Sequence, residues 1–280
     1  MIHKEFDFYN HNIKFFGQYW QTTSTNAVII LVHGMGEHST RYADFVIPEF
    51  LKNDISVIAY DQFGHGKTQG KRGHNPGFES LLDCVEIVIN KAHEIFSNIP
   101  AFLYGHSMGA NVVINYILKR KNDLNGVIVT SPFFKLAFQP PSWKLALGKI
   151  LQKIAPSYTM KSELDVNALS RDKHEVQKYI NDPLVHDKIS PNYSLTFIKT
   201  GIWAINNADK LLLPVLLIHG TGDRLTSHEA SKEFALNNNK ISLKLVKDGY
   251  HELHNDLCKK DIMLSIVQWI ELTLKKKRKS

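Results

Sequence analysis

The chain has 280 residues, 43% hydrophobic, 22% charged and 10% aromatic, an ordinary globular composition that excludes disorder, collagen-like repeats and coiled coil. Lys and Arg (34) exceed Asp and Glu (27) for a net charge of +7. Part of that excess is one terminal run, Lys275, Lys276, Lys277, Arg278 and Lys279, and the remainder is too mildly basic for a nucleic-acid surface.

The first twenty residues, with Phe6, Phe8, Ile13, Phe15 and Tyr19 partly alternating, predict an edge hairpin. Their opening stretch carries charges where a secretory leader needs an apolar run. Short continuous apolar strands follow: Ala27–Val32 before His33-Gly34, Ser56–Tyr60 before Asp61, Ala101–Tyr104 before Gly105, and Val127–Thr130 before Ser131-Pro132. Runs of this kind suit a sheet covered on both faces. Between them Leu81, Leu82, Val85, Val88, Ile89 and Ala92, and then Met108 to Leu118, recur at helical spacing.

From Pro132 to about Leu212 no buried strand is predicted. One helix is expected over Trp143, Leu147, Ile150, Leu151 and Ile154. A second is expected from about Lys173 to Asn181, opened by Asp172 and Glu175 as a capping box and stopped by Pro183. A third lies near Leu195, Ile198, Ile202 and Ile205. Strands Val215–Ile218 and Ser242–Val246 then complete the set. Alternation of strand and helix predicts an α/β fold with a mostly parallel central sheet flanked by helices. Residues 1–131 and 213–280 form its core, and 132–212 a helical cap, or lid, over the carboxyl edge where ligands bind in such sheets. The longest apolar runs are too short to span a bilayer, so a cytoplasmic protein is expected, peripheral at membranes if the lid or basic C-terminus meets their surface. Cys84 and Cys258 are read as free thiols, since two cysteines make neither a disulfide framework nor a Cys-rich zinc site.

The sharpest motif is Gly105-His106-Ser107-Met108-Gly109, between a predicted strand and a predicted helix. G-x-S-x-G in that context is a nucleophile elbow: a serine on a strained turn, with a helix N-terminus aimed at any oxyanion formed beside it. A serine hydroxyl needs a base, and the base an orienting carboxylate, in the chain order Ser, acid, His. Asp223 and His251 both fall just past a strand end in that order. Taken singly they are a turn aspartate and one of 14 histidines; with the elbow they make a triad with Ser107. His254 competes with His251, which is preferred because it directly follows the strand-end turn; His254 would then face the pocket mouth or pair locally. Asp61 ends a strand but precedes the serine. His33-Gly34-Met35-Gly36 stands where the second oxyanion donor belongs, so the backbone N–H groups of Met35 and Met108 are the expected pair. His33 and His65 are read as loop-pinning rings. No metal or organic cofactor is implied.

With these segments in place, the chain resembles the α/β-hydrolase superfamily, in particular its monoacylglycerol lipase and lysophospholipase group, labelled serine aminopeptidase-like. The matching residues are His33-Gly34-Met35-Gly36-Glu37-His38 with Arg41-Tyr42, Asp61 with Gly64-His65-Gly66, the elbow, Leu169-Ser170-Arg171, Asp182-Pro183-Leu184, Asp223-Arg224-Leu225 and Tyr250-His251-Glu252-Leu253-His254. The resemblance implies the triad Ser107, Asp223 and His251, the Met35 and Met108 oxyanion hole, and a polar glycerol end surrounded by Glu37, Arg41, Tyr179 and His254. Glu37 and Arg41 can equally be read as an exposed i,i+4 ion pair worth about 0.3–0.5 kcal/mol. Ala110 departs from a frequent second glycine, and His186 and Thr226 stand where mammalian members carry cysteines, so their thiol sensitivity is not expected here.

The expected function is a serine hydrolase of lipid carboxylic esters. Its substrate is a monoacylglycerol or lysophospholipid, cleaved through an acyl-enzyme. General carboxylesterase, thioesterase or acyltransferase chemistry on the same triad is the alternative, and a non-catalytic ligand-binding protein of this fold stands behind it. Phe133, Phe134, Leu136, Phe138, Trp143, Leu145 and Leu147 give the lid more apolar surface than a short insertion can bury in itself.

Overall fold

Phe8 and Phe15 face each other across the N-terminal hairpin of β1 (Ile2–Asn10) and β2 (Ile13–Gln21), their rings stacked 4.8 Å apart. The computed structural model describes residues 1–277, so Arg278 and Lys279 of the basic run lie outside the described residues. After the hairpin come β3 (Ala27–Val32), α1 (Val46–Leu51), β4 (Ile55–Tyr60), α2 (Phe78–Ile95), β5 (Ala101–His106), α3 (Met108–Lys119) and β6 (Gly126–Thr130). The segment beyond β6 holds α4 (Ser142–Ile154), β7 (Met160–Lys161), α5 (Lys173–Asn181), β8 (Lys188–Ile189) and α6 (Pro191–Asn206). The chain closes with β9 (Val215–Gly220), α7 (His228–Leu236), β10 (Ile241–Val246) and α8 (Lys259–Lys277).

Eight strands form one sheet in the order β1-β2-β4-β3-β5-β6-β9-β10. Only the hairpin and its join to β4 are antiparallel; from β4 to β10 every pairing is parallel. Every residue of β3, β4, β5, β6 and β9 is buried, which is why these strands read as continuous apolar runs rather than alternating ones. Successive side chains pass to opposite faces. Val28, Ile30, Leu103 and Val129 pack under α2 and α3; Ile29, Leu31, Phe102 and Ile128 pack with α1 and α8. All five strands run the same way, so their carboxyl ends, and the loops that leave them, lie along one edge.

Between β6 and β9 no residue joins the main sheet; β7 and β8 pair only with each other. The two ends of this segment nevertheless belong to the core. Phe134 is fully buried against Phe234, their rings 4.5 Å apart. Helix α6, N-capped by Ser190 with Pro191 in its first turn, buries Tyr193, Leu195, Phe197, Gly201, Ala204 and Ile205. Of the expected stripe Leu195 and Ile205 are buried, whereas Ile198 is half-buried and Ile202 lies on the outside. Packing is closest at Gly201, where a methyl would lie 2.2 Å from the Phe134 carbonyl oxygen. Asn111 on α3 donates to the Phe133 and Phe197 carbonyls and accepts from Thr200, tying α3 to α6. At α5, Asp172 caps through the His174 N–H, whereas Glu175 bonds Lys259 instead of closing the expected box.

Helix α4 buries none of its residues. Trp143, Leu147, Ile150 and Ile154, at helical spacing, are 46–73% exposed, so this apolar face packs neither on the sheet nor into the segment itself. No helix among the described residues is long and apolar enough to cross a membrane.

Candidate active site

Ser107 stands between β5 and α3 at φ 53° and ψ −114°, a strained conformation for a residue with a side chain. Three backbone bonds hold it there: its N–H donates to Thr130, and its carbonyl accepts from Asn111 and Phe133. The flanking glycines are required by contact. A methyl on Gly109 would lie 2.1 Å from the Val32 carbonyl oxygen, and one on Gly105 2.7 Å from the Ala110 Cα. Ala110 itself is fully buried and fits. Among the described residues, no backbone carbonyl takes up the N–H of Met35 or Met108.

The Ser107 Oγ is 2.8 Å from His251 Nε2, and His251 Nδ1 is 2.7 Å from Asp223 Oδ2. Asp223 Oδ1 accepts the N–H groups of Leu225 and Thr226 at 2.8 and 3.0 Å. Burial would raise the Asp223 carboxyl, but its imidazole partners, His251 foremost, hold it well below the usual carboxylate range. An ionised carboxylate only accepts, so the His251 proton sits on Nδ1 and the Nε2 lone pair faces the serine hydroxyl. Burial works to lower the His251 basicity, yet the Asp223 carboxylate beside it leaves the ring above its ordinary 6.5.

Behind the triad lies a buried charge network. Glu37 accepts from the Gly34 N–H at 2.6 Å, the Tyr42 hydroxyl at 2.9 Å and Arg41 at 2.8 Å. Arg41 continues to Glu252 through two further bonds of 2.8 Å, and its guanidinium lies 4.7 Å over the Tyr179 ring. Burial pushes the Glu37 carboxyl up, whereas Glu252, despite its burial, is held far down by Arg41. The segment between β6 and β9 is fastened to these loops: the His186 N–H donates to the Gly36 carbonyl at 2.9 Å, and His38 bonds Asp182 at 2.8 Å.

Set against known families, residues 23–258 match the model described as serine aminopeptidase, S33. The chain belongs to this family. Among curated relatives, an uncharacterized abhydrolase domain-containing protein of Dictyostelium discoideum is 35% identical over 88% of this chain; the chain spans only about a quarter (26%) of that relative's length. The monoglyceride lipase of Rattus norvegicus is 30% identical over 86% of this chain and 81% of its own. Among solved structures, the Paleococcus ferrophilus monoacylglycerol lipase is 32% identical, with a TM-score of 0.85 over 92% of this chain and 99% of that one. The α/β-hydrolase fold and membership among serine ester hydrolases follow from these likenesses.

Within this S33 member, two sequence expectations need correction. Glu37 and Arg41 are no exposed pair: their side chains are 2% and 7% exposed, and both carboxylate oxygens of Glu37 are engaged inside the protein. His254 does not face a pocket mouth. The short turn Leu253–Asn255 directs its ring inward, 1% exposed, stacked 4.8 Å from Tyr42 and edge-on to His106 at 4.7 Å. Burial pushes it down to about 4, so it is neutral. Asp61, the rival acid, is spent on loops, accepting from Ser39 and the Lys67 N–H. His33 pins its own turn, bonding the Gly34 carbonyl and accepting the Gln62 N–H.

Several site residues carried no local mark. Ser131 donates to the His251 carbonyl at 2.7 Å, and Thr226 Oγ1 lies 2.9 Å from Asp223 Oδ2. Asp256, fully buried, holds the His251 loop through the Tyr250 N–H and Arg171. Among the described residues no group of three or more His, Cys, Asp or Glu side chains is arranged to hold a metal ion. Cys84 is buried and Cys258 half-buried, both free.

Proposed function

We propose that this chain hydrolyses the ester bond of monoacylglycerols, with Ser107 as nucleophile, His251 as base and Asp223 as the group that orients it. The reading is carried by the unbroken Ser107–His251–Asp223 hydrogen-bonded chain on a strained elbow, and is supported by the monoacylglycerol lipases among its relatives. His251 takes the Ser107 proton as the oxygen attacks the ester carbonyl. The tetrahedral oxyanion is stabilised by the Met35 and Met108 N–H groups, each such donor being worth about 2.7–4 kcal/mol in the transition state. His251 then gives its proton to the departing glycerol oxygen, and water activated by the same ring releases the fatty acid. In this reading 132–212 is the cap over the acyl site. Glu37 and Arg41 shape the polar end by fixing the loop that carries Met35, rather than by offering free ligands.

The cap is also the part that meets the lipid. Helix α4 has an exposed apolar stripe, no acidic residue, and Lys144, Lys149 and Lys153 at its flanks; that pattern suits a helix lying in a membrane interface. An aqueous, cytoplasmic enzyme that docks on a bilayer to collect its substrate accounts for both features.

A fluorophosphonate probe tests the nucleophile: wild type is labelled and Ser107→Ala is not, and equal labelling of both rejects Ser107. Product analysis on monoacylglycerol, lysophospholipid and acyl-CoA side by side tests the substrate. Glycerol release from the first is expected to dominate; faster turnover of either other substrate overturns that assignment.

A further inference from the structure

Asp223 serves two serine–histidine pairs. Its Oδ2 bonds His251 Nδ1 at 2.7 Å and also His219 Nε2 at 3.1 Å; His219 Nδ1 in turn lies 2.7 Å from Ser231 Oγ. The hydrogen-bonded chain therefore runs Ser107, His251, Asp223, His219, Ser231. The second pair is no second nucleophile, because His219 and Ser231 are both fully buried. Its polarity is fixed by the same logic as the first. The carboxylate only accepts, so His219 carries its proton on Nε2, and its Nδ1 accepts the Ser231 hydroxyl. Burial keeps this ring below the ordinary histidine range, hence neutral.

We propose that His219, locked by Ser231, is a positioning residue for ester hydrolysis: its Nε2–H holds the Asp223 carboxylate against the His251 ring and draws off part of the carboxylate's charge. This rests on the triad reading above. A carboxylate that shares its charge with a second donor stabilises the protonated His251 less, so His219 sets how far down in pH the base stays usable. The other groups facing His219 are few. Thr226 Oγ1 shares Asp223 Oδ2, and His228 on α7, itself 3.0 Å from Glu229, has its ring 6.3 Å away.

The test compares His219→Leu, His219→Gln and Ser231→Ala by kcat and KM for a short p-nitrophenyl ester across pH. Loss of the donor in His219→Leu lowers kcat about tenfold or more at little change in KM. It also moves the acid limb of kcat/KM up by about 0.5–1 pH unit. His219→Gln, whose amide N–H reaches the same oxygen, returns the limb and regains most of kcat. Ser231→Ala, which frees the tautomer, shifts the limb upward by less. An unmoved acid limb in His219→Leu and Ser231→Ala overturns the proposal, as does an equal loss in the Leu and Gln variants. If thermal unfolding shows that His219→Leu does not fold, the Gln and Ser231→Ala profiles decide. Probe labelling of Ser107 keeps the two readings apart: an unlabelled wild type defeats the triad, whereas a labelled enzyme indifferent to His219 defeats only this inference.

Discussion

Arg41 and Glu252, 211 positions apart in the chain, meet in a two-fold ion pair with both bonds at 2.8 Å and side chains 7% and 4% exposed. Glu37 shares the same guanidinium, so one cation serves two buried carboxylates and joins the loop before α1 to the loop that carries His251.

Removing that cation strands both carboxylates. Arg41→Met is expected to lower the unfolding free energy by about 3–5 kcal/mol at neutral pH, read by urea denaturation. Glu252→Gln, which leaves Arg41 paired with Glu37, costs less. Without Arg41 both carboxyls have folded-state pKa values above their unfolded ones, so the folded variant binds the extra protons and its deficit grows as pH rises. Equal losses in the two variants, or a deficit indifferent to pH, go against this account.

In the proposed mechanism hydrolysis follows the protonation of His251. The ring must be neutral to accept the Ser107 proton, and its pKa stands above 6.5 because Asp223 outweighs burial. Activity is therefore lost as pH falls through a midpoint above that value, visible in kcat/KM for a soluble ester. Asp223→Asn removes the orienting charge and is expected to cost about 10⁴-fold in kcat. A midpoint below 6.5 in wild type contradicts the arrangement.

The proposed docking of α4 on lipid is separable from chemistry. Replacing Trp143, Leu147 and Ile150 together by Ser is expected to abolish co-sedimentation with anionic phospholipid vesicles while leaving short-ester turnover intact, since none of the three is buried. Each flanking lysine contributes about 1 kcal/mol near such a surface, so high salt weakens the binding of wild type. Undiminished vesicle binding by the triple variant removes α4 from the interface.

The elbow tolerates no added carbon at its second glycine. Gly109→Ala places a methyl against the Val32 and His33 carbonyls, at 2.1 and 2.5 Å, and overpacking of this kind costs about 1–3 kcal/mol. Ala110→Gly, one position on, costs about 1 kcal/mol of helix propensity. Melting temperatures of the pair check the order; a more stable Gly109→Ala variant refutes the contact argument.

Much of this architecture could be read from pattern. Strands buried on both sides leave continuous apolar runs, as at Ala27–Val32, and the elbow is one contiguous motif with its strand and helix attached. Helix α1, six residues interrupted by Pro48, has too few turns for its period to register. The second partners of Arg41 and Asp223 are illegible in the pattern for another reason. Glu252 and His219 are ordinary residues beside a motif, and only the closing of a parallel sheet brings them to their charges. The same holds for Tyr42, whose ring receives His254 and so turns an expected pocket residue into core. Pattern reports how a segment folds; distant pairing of charges is decided by the tertiary structure.

The bond from the His186 N–H to the Gly36 carbonyl hitches the 182–190 stretch to the peptide next to Met35. A displacement of that stretch that keeps this bond carries the Gly36 peptide with it. In the proposed reading, where this stretch belongs to the cap and the Met35 N–H serves the oxyanion, substrate admission and acyl-transfer chemistry are geared together through this amide and the neighbouring His38–Asp182 bond.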